Sequence, residues 1–282
     1  MMKGMARRGL VSLLVAAMAG IPVPALASGH GPLFAIATPT NGAGVWSLDL
    51  GFMGRTGEEE DGAMTRAMFT YGITEDLQLS VSIPFVFTSG PFLPARGPAM
   101  MPGSADVESL AAWRFHRQGT AVGARVESTA YGGVIVPGPQ RPAGMAPGFY
   151  TAVASGVASR SHYVWGGIGY TRFAERSGDQ RPDILYYSAV WGYRPPPLRK
   201  DYPHWDWRLF VEMTGERSGN LRQAGVEHAG TGGHQVLVGP TILGLYKNYG
   251  IQGGVQFPVY RDGGASVQRE TVRYGMNVAY FF

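Results

Sequence analysis

The chain contains no cysteine, so no disulfide can staple its fold and no thiolate can serve as nucleophile or metal ligand. Charge is scarce as well: Asp, Glu, Lys and Arg make up 16% of 282 residues. Low charge beside 12% aromatic residues excludes the disordered class. After residue 27 no segment is apolar enough to cross a membrane as a helix, which takes about 20 such residues. What the chain has in abundance is backbone punctuation, 42 Gly and 20 Pro, against a usual combined share of about 12%. Glycine at that density destabilises helix interiors by about 1 kcal/mol per residue, which excludes helical bundles and coiled coils. No Gly-X-Y period is present, which excludes collagen. A strand-rich chain with many turns remains.

The first 27 residues form an export address. Lys3, Arg7 and Arg8 precede an apolar run from Leu10 to Val23, and Ala25-Leu26-Ala27 gives a small-x-small cleavage site before Ser28. That layout is a secretory signal peptide over residues 1–27. The run is too short for an anchor helix and is interrupted by Gly20 and Pro22. The formal net charge of +4 mostly reports those three cations, so no nucleic-acid partner is expected.

The rest alternates. Leu77, Leu79, Val81, Ile83, Phe85 and Phe87 interleave with Gln78, Ser80, Ser82 and Pro84, a period of 2 that marks a strand with one apolar face. The same pattern gives twelve strands near 44–55, 64–73, 77–88, 105–116, 121–135, 148–158, 163–173, 184–194, 205–216, 234–245, 249–260 and 270–282. Those at 148–158 and 163–173 are rich in Gly and Ala and show no clear face. Connections alternate in length: 56–63, 89–104, 136–147, 174–183, 217–233 and 261–269 are long, whereas 74–76, 117–120, 159–162 and 246–248 are short, with 195–204 the exception. Short turns at one end, longer loops at the other and an even strand count describe an outer-membrane barrel.

Two further features favour lipid over a protein core as the neighbour of the apolar face. Most runs reach the 9–11 residues that cross a membrane obliquely, whereas sandwich strands average about 5–6. Aromatic residues also gather at one depth: Trp46, Tyr71, Trp113, Phe115, Trp191, Tyr193, Trp205, Trp207, Tyr280 and Phe282 lie at the short-turn ends, as an interfacial girdle would. The expected fold is therefore all-β, a single transmembrane antiparallel barrel of about 12 strands over residues 43–282. The main alternative is a soluble periplasmic β protein. On the opposite face lie Asp49, Arg66, Glu108, Arg114, Arg125, Glu127, Arg208, Glu212 and Arg273. In a barrel these line the lumen, where Arg66, Glu108, Arg114, Arg125, Glu127, Arg208, Glu212 and Arg273 either pair with one another or set a charged constriction. Residues 28–42, with Phe34, Ile36 and two prolines, are expected to form a small extension or plug.

Several segments resemble the outer-membrane proteins named for a phenol meta-cleavage pathway, a group described as transporters. They are Tyr71 to Pro84, Ala105 to Glu108 with Trp113-Arg114-Phe115, Phe210 to Gly215, and Gly253 to Tyr260. The resemblance implies passive movement of small solutes, hydrophobic or aromatic compounds among them, and supplies no catalytic residues. The terminal Phe282 resembles the closing-strand signal read by barrel-assembly machinery. Expected partners are thus that machinery, outer-membrane lipid and lipopolysaccharide, and a small-molecule solute, in the outer membrane of a Gram-negative cell. The rival reading is a structural or ligand-binding barrel with a closed lumen and partner-binding loops.

Other chemistries are weaker. No Ser, His and acid stand together as a hydrolase would need, and no cofactor motif is present. Glu227, His228 and His234 offer metal-ligand types without compact spacing. Met100, Met101 and Met145 read as ordinary loop residues, and Glu58 to Asp61 as an acidic loop tip.

Overall fold

The computed structural model describes residues 31–57, 61–87, 105–140, 145–200, 203–263 and 269–282. The signal peptide, Met100, Met101 and Glu58 to Glu60 fall outside them. Fourteen strands follow in chain order: β1 (Trp46–Gly57), β2 (Gly62–Gly72), β3 (Leu77–Val86), β4 (Asp106–Ala121), β5 (Ala124–Pro137), β6 (Gly148–Ala158), β7 (His162–Phe173), β8 (Ile184–Tyr193), β9 (Asp206–Ser218), β10 (Leu221–Gln223), β11 (Val226–His228), β12 (Gly233–Tyr246), β13 (Tyr249–Gly263) and β14 (Glu270–Phe281). Twelve of them close into one antiparallel barrel, with β1 pairing both β2 and β14. Strands β10 and β11 form a separate hairpin.

Closure satisfies every wall strand on both sides, which hydrocarbon would demand because it offers no water to a bare N–H. Barrel-strand lengths run from 10 residues in β3 to 16 in β4. One end carries both chain termini of the barrel and the connections 73–76, 122–123, 159–161, 194–205 and 247–248; we call it the short-turn end. The turn at 122–123 is tight because Gly123 adopts φ +78°, open to glycine without strain. At the long-loop end the first connection, 58–61, is shorter than the alternation suggested, because β1 and β2 each extend about two residues further. The 217–233 connection is not bare loop either, since it holds β10–β11.

The period-2 faces separate cleanly. Exposed outward residues include Leu79, Ile83, Phe85, Trp113, Phe149, Val164, Ile168, Trp191, Val211, Phe257 and Met276. At the short-turn end aromatic rings form a collar: Trp46 packs on Tyr71, Trp113 on Phe115, Trp191 on Tyr193, Trp205 on Trp207 and Tyr246, and Tyr280 on Tyr249 and Phe282. The faces of β6 and β7 were obscure in sequence because both sides are apolar. Tyr150, Tyr163, Trp165 and Phe173 point into the barrel and are buried, while Phe149, Val153, Val164 and Ile168 point out.

Two local irregularities interrupt the regular ladder. Pairing of β3 with β4 stops at Ser82 opposite Glu108, two residues before Pro84, which has no N–H to give. Beyond it the side chain of Gln140 continues the ladder: Val86 N–H donates to Gln140 Oε1 at 2.8 Å and Gln140 Nε2 donates to Val86 O at 2.9 Å. In addition, a bulge between Thr56 and Gly57 shifts the register against β14, so that Gly57 faces Glu270. The shift turns Glu270 inward, against the parity of its strand.

The barrel interior as candidate functional site

Residues 31–42 run inside the barrel. Glu212 on β9 anchors their apex, its carboxylate accepting three consecutive backbone N–H groups: Leu33 at 2.7 Å, Phe34 at 2.7 Å and Ala35 at 2.9 Å. The Thr241 hydroxyl of β12 donates to the same carboxylate. From the apex the chain descends along one wall. Ile36 N–H donates to Ser188 Oγ at 3.2 Å, the Tyr131 hydroxyl to Ala37 O, and the Thr129 hydroxyl to Thr38 O at 2.7 Å. It reaches the short-turn end where Asn41 N–H meets Gln78 Oε1 at 2.7 Å. The other limb also turns back that way, since Gly31 O accepts from Gln252 Nε2 at 2.7 Å. Gln252 lies across from Leu243, which lies across from Arg208. Glu212 is four residues further along β9, about 13 Å at the usual strand rise. The segment is thus a hairpin inserted from the short-turn end, with a cavity of about 100 Å³ near its two limbs at Gly31, Pro32 and Asn41.

Apolar contacts hold what the hydrogen bonds position. Leu33 and Phe34 pack with Met53, Met64, Val86 and Ala105. Ala37 sits among Tyr163, Trp165, Val190, Phe210 and Leu243, and Ile36 among Ala154 and Tyr186. The Tyr186 hydroxyl donates to Phe34 O at 2.6 Å. Burying a Leu, Ile or Phe side chain stabilises by about 1.5–3 kcal/mol each, so the hairpin is seated by several such residues besides Glu212.

The ionisable lumen residues form separate clusters at different depths, not one ring. Near the short-turn end Arg114 contacts Asp76 at 2.7 Å and Glu127 at 3.1 Å, and Glu127 also contacts Arg125 at 2.9 Å. Arg125 is itself 42% exposed at that mouth. Arg208 contacts Asp206 at 3.3 Å, and Asp206 contacts Arg194 at 2.6 Å. Arg66 lies within electrostatic reach of Asp49 and Glu108, and Asp49 accepts from Asn277 Nδ2 at 2.8 Å. Toward the long-loop end Arg273 spans two carboxylates, Glu216 at 2.7 Å and Glu270 at 2.8 Å. Gln235 Nε2 bridges the same pair at 2.9 and 3.2 Å. All three ionic groups there are essentially buried.

The structure therefore joins Arg114, Glu127 and Arg125, and joins Arg66 with Glu108, but places Arg208, Glu212 and Arg273 elsewhere. Glu212 faces peptide N–H groups instead of a cation. Residues missed from sequence are Glu216, Glu270, Gln235, Tyr131 and Tyr186. Glu216 shares the parity of Glu212 and was readable; Glu270 was not, because of the bulge.

Outside the lumen, Glu227 accepts from Asn220 at 2.7 Å, and His234 shares a hydrogen bond with the Tyr187 hydroxyl at 2.9 Å. Among the described residues no group of three or more His, Asp or Glu is placed to hold a metal.

A closed twelve-strand barrel with an apolar outer wall and an ionic, filled interior belongs to the architecture of bacterial outer-membrane barrels. The COG4313 outer membrane channel from Pseudomonas putida F1 superposes with a TM-score of 0.64 at 11% identity, over 90% of this chain and 99% of that one. The NanC porin does so with a TM-score of 0.52 at 11% identity, over 83% of this chain and 98% of that one. At such identity the likeness is one of fold. No protein-family model and no curated protein matches the sequence.

Proposed function

We propose that the protein is an outer-membrane channel for small solutes whose lumen is occupied, in this conformation, by the hairpin of residues 31–42. The carrying observation is the combination of an apolar outer wall with an interior whose filling is a separable segment. Hydrogen bonds and side-chain packing hold that segment, and it is not itself a wall strand. A core that had only to be solid could be built from wall side chains alone, as in eight-stranded barrels. In this reading the short-turn end faces the periplasm, the long loops face outward, and residues 1–27 are the export signal.

The two solved structures support the reading through their fold and are a channel and a porin. The resemblance to the phenol meta-cleavage group supports small aromatic or hydrophobic solutes, and the apolar contacts around Phe34, Trp165 and Phe210 suit such a class. The resemblance supplies no catalytic residues, and we assign the protein no catalytic role. The filled lumen equally favours a second reading, a closed barrel whose loops bind partners. Planar-bilayer conductance and liposome swelling separate the two. We expect a variant lacking residues 31–42 to conduct and pass small sugars and aromatic acids, and the intact chain to show brief, smaller openings. If neither protein shows conductance steps or solute-dependent swelling, the channel reading is wrong.

A further inference from the structure

On the outer wall near the long loops, the register aligns one row across five strands, polar at every position but Leu185. Tyr170 on β7 lies opposite Leu185 on β8, Leu185 opposite Arg217 on β9, Arg217 opposite His234 on β12, and His234 opposite Asp262 on β13. Glu216, next to Arg217, points into the lumen, so the row points out. Two residues toward the short-turn end the outward row reads Ile168, Tyr187, Gly215, Val236 and Tyr260, apolar and aromatic. The polar row therefore marks where the apolar wall stops. A cavity of about 860 Å³ opens against it, roofed by Ser218 to Asn220 and by Gly230 and Gly232.

The row is built and held in place. The Tyr187 ring lies flat across Gly215, where an added Cβ would come within 2.0 Å of it, and this lets its hydroxyl reach His234 Nε2 at 2.9 Å. Tyr260 packs edge-on against the His234 ring at 5.1 Å. Asp183 is fixed by the Tyr170 hydroxyl at 2.6 Å. Arg217 makes no ion pair among the described residues and lines the cavity.

We infer that this cavity binds the phosphorylated sugar headgroup of an acylated glycolipid in the outer leaflet; the inference rests on the outer-membrane placement proposed above. The phosphate meets Arg217, whose forked donors suit it, with the second ring nitrogen of His234 alongside. Asp183 and Asp262 accept sugar hydroxyls, and acyl chains run down over Tyr187, Val236 and Tyr260. A free phosphate fits less well, because it offers no hydroxyls to the two carboxylates and the adjoining apolar wall gives it nothing.

The test uses the full protein, freed of lipid in detergent and titrated with diphosphoryl lipid A in mixed micelles, read by native mass spectrometry. Arg217→Glu should weaken binding about tenfold or more, the scale of one charged hydrogen-bonded contact. His234→Ala should weaken it less, and Arg199→Glu, an exposed change at the opposite end, should leave it unchanged. Millimolar inorganic phosphate should not displace the lipid, and a phosphate-free acylated disaccharide should bind as weakly as Arg217→Glu. Equal binding by wild type and Arg217→Glu, displacement by phosphate, or full binding of the phosphate-free analogue would each overturn the assignment. Heat-modifiable gel mobility checks that every variant folds. Loss of the channel reading leaves this result standing, whereas a chain monodisperse without detergent would remove the membrane placement before any titration began.

Discussion

Glu212 and Glu216 sit four residues apart on the same face of β9, both buried, yet they are satisfied in opposite ways. Glu216 is paired by charge: Arg273 reaches across to it and to Glu270, so one cation answers two carboxylates tied by Gln235. Glu212 is satisfied by dipoles, three peptide N–H groups and a hydroxyl. The first arrangement ties wall to wall, and the second ties wall to filling. A buried carboxylate thus does not by itself mark a selectivity filter; what answers it decides whether it serves the wall or the hairpin.

The largest effect should come from Arg273→Ala. It removes the cation that Glu216 and Glu270 share, and removing one member of a buried ionic set costs about 3–5 kcal/mol. We expect loss of the heat-resistant folded form on gels; a normal unfolding midpoint would erase the distinction between the two glutamates. Glu212→Ala should leave the barrel folded and loosen the hairpin instead. Because the chain has no cysteine, a single Ala37→Cys reports this cleanly. Maleimide labelling should be slow in the otherwise native chain and at least about tenfold faster with Glu212→Ala, since several charge-assisted hydrogen bonds are lost. Equal labelling rates would mean that apolar packing alone seats the segment. A smaller change follows from Tyr131→Phe, which removes one hydroxyl donor to Ala37 O. About 1 kcal/mol is at stake, visible as a several-fold rise in labelling with no change in thermal midpoint. Smallest is Arg117→Ala. Its 3.4 Å pair with Glu75 is exposed on both sides, and less than about 1 kcal/mol should be lost, below detection in conductance and melting alike.

Much of the fold was legible because strand parity is a local property. Eleven of the twelve barrel strands fall within about three residues of the alternation seen in sequence, and the ionic residues on one parity do face inward. β4 instead runs on to Ala121, so the short connection expected at 117–120 is strand and the turn falls at 122–123. The faces of β6 and β7 escaped because an interior packed around Ile36 and Ala37 calls for aromatic residues such as Tyr163 and Trp165, which erase the contrast that alternation depends on. Glu270 escaped because a single bulge at Thr56 and Gly57 reverses parity. Depth was illegible for another reason. Which charges share a level is set by the stagger between neighbouring strands, and no residue encodes that stagger alone. Hence Arg125 emerges at the mouth and Arg273 near the opposite end, although both share the inward parity of Glu212.

The hairpin's seating has a consequence for biogenesis. Its anchors come from β5, β8, β9, β12 and β13, whereas the hairpin itself precedes every one of them in the chain. Under the export proposed above, the amino end arrives first, so the hairpin is delivered ahead of every strand that grips it. Its seat is therefore complete only once β13, the last of those five strands in the chain, is in place.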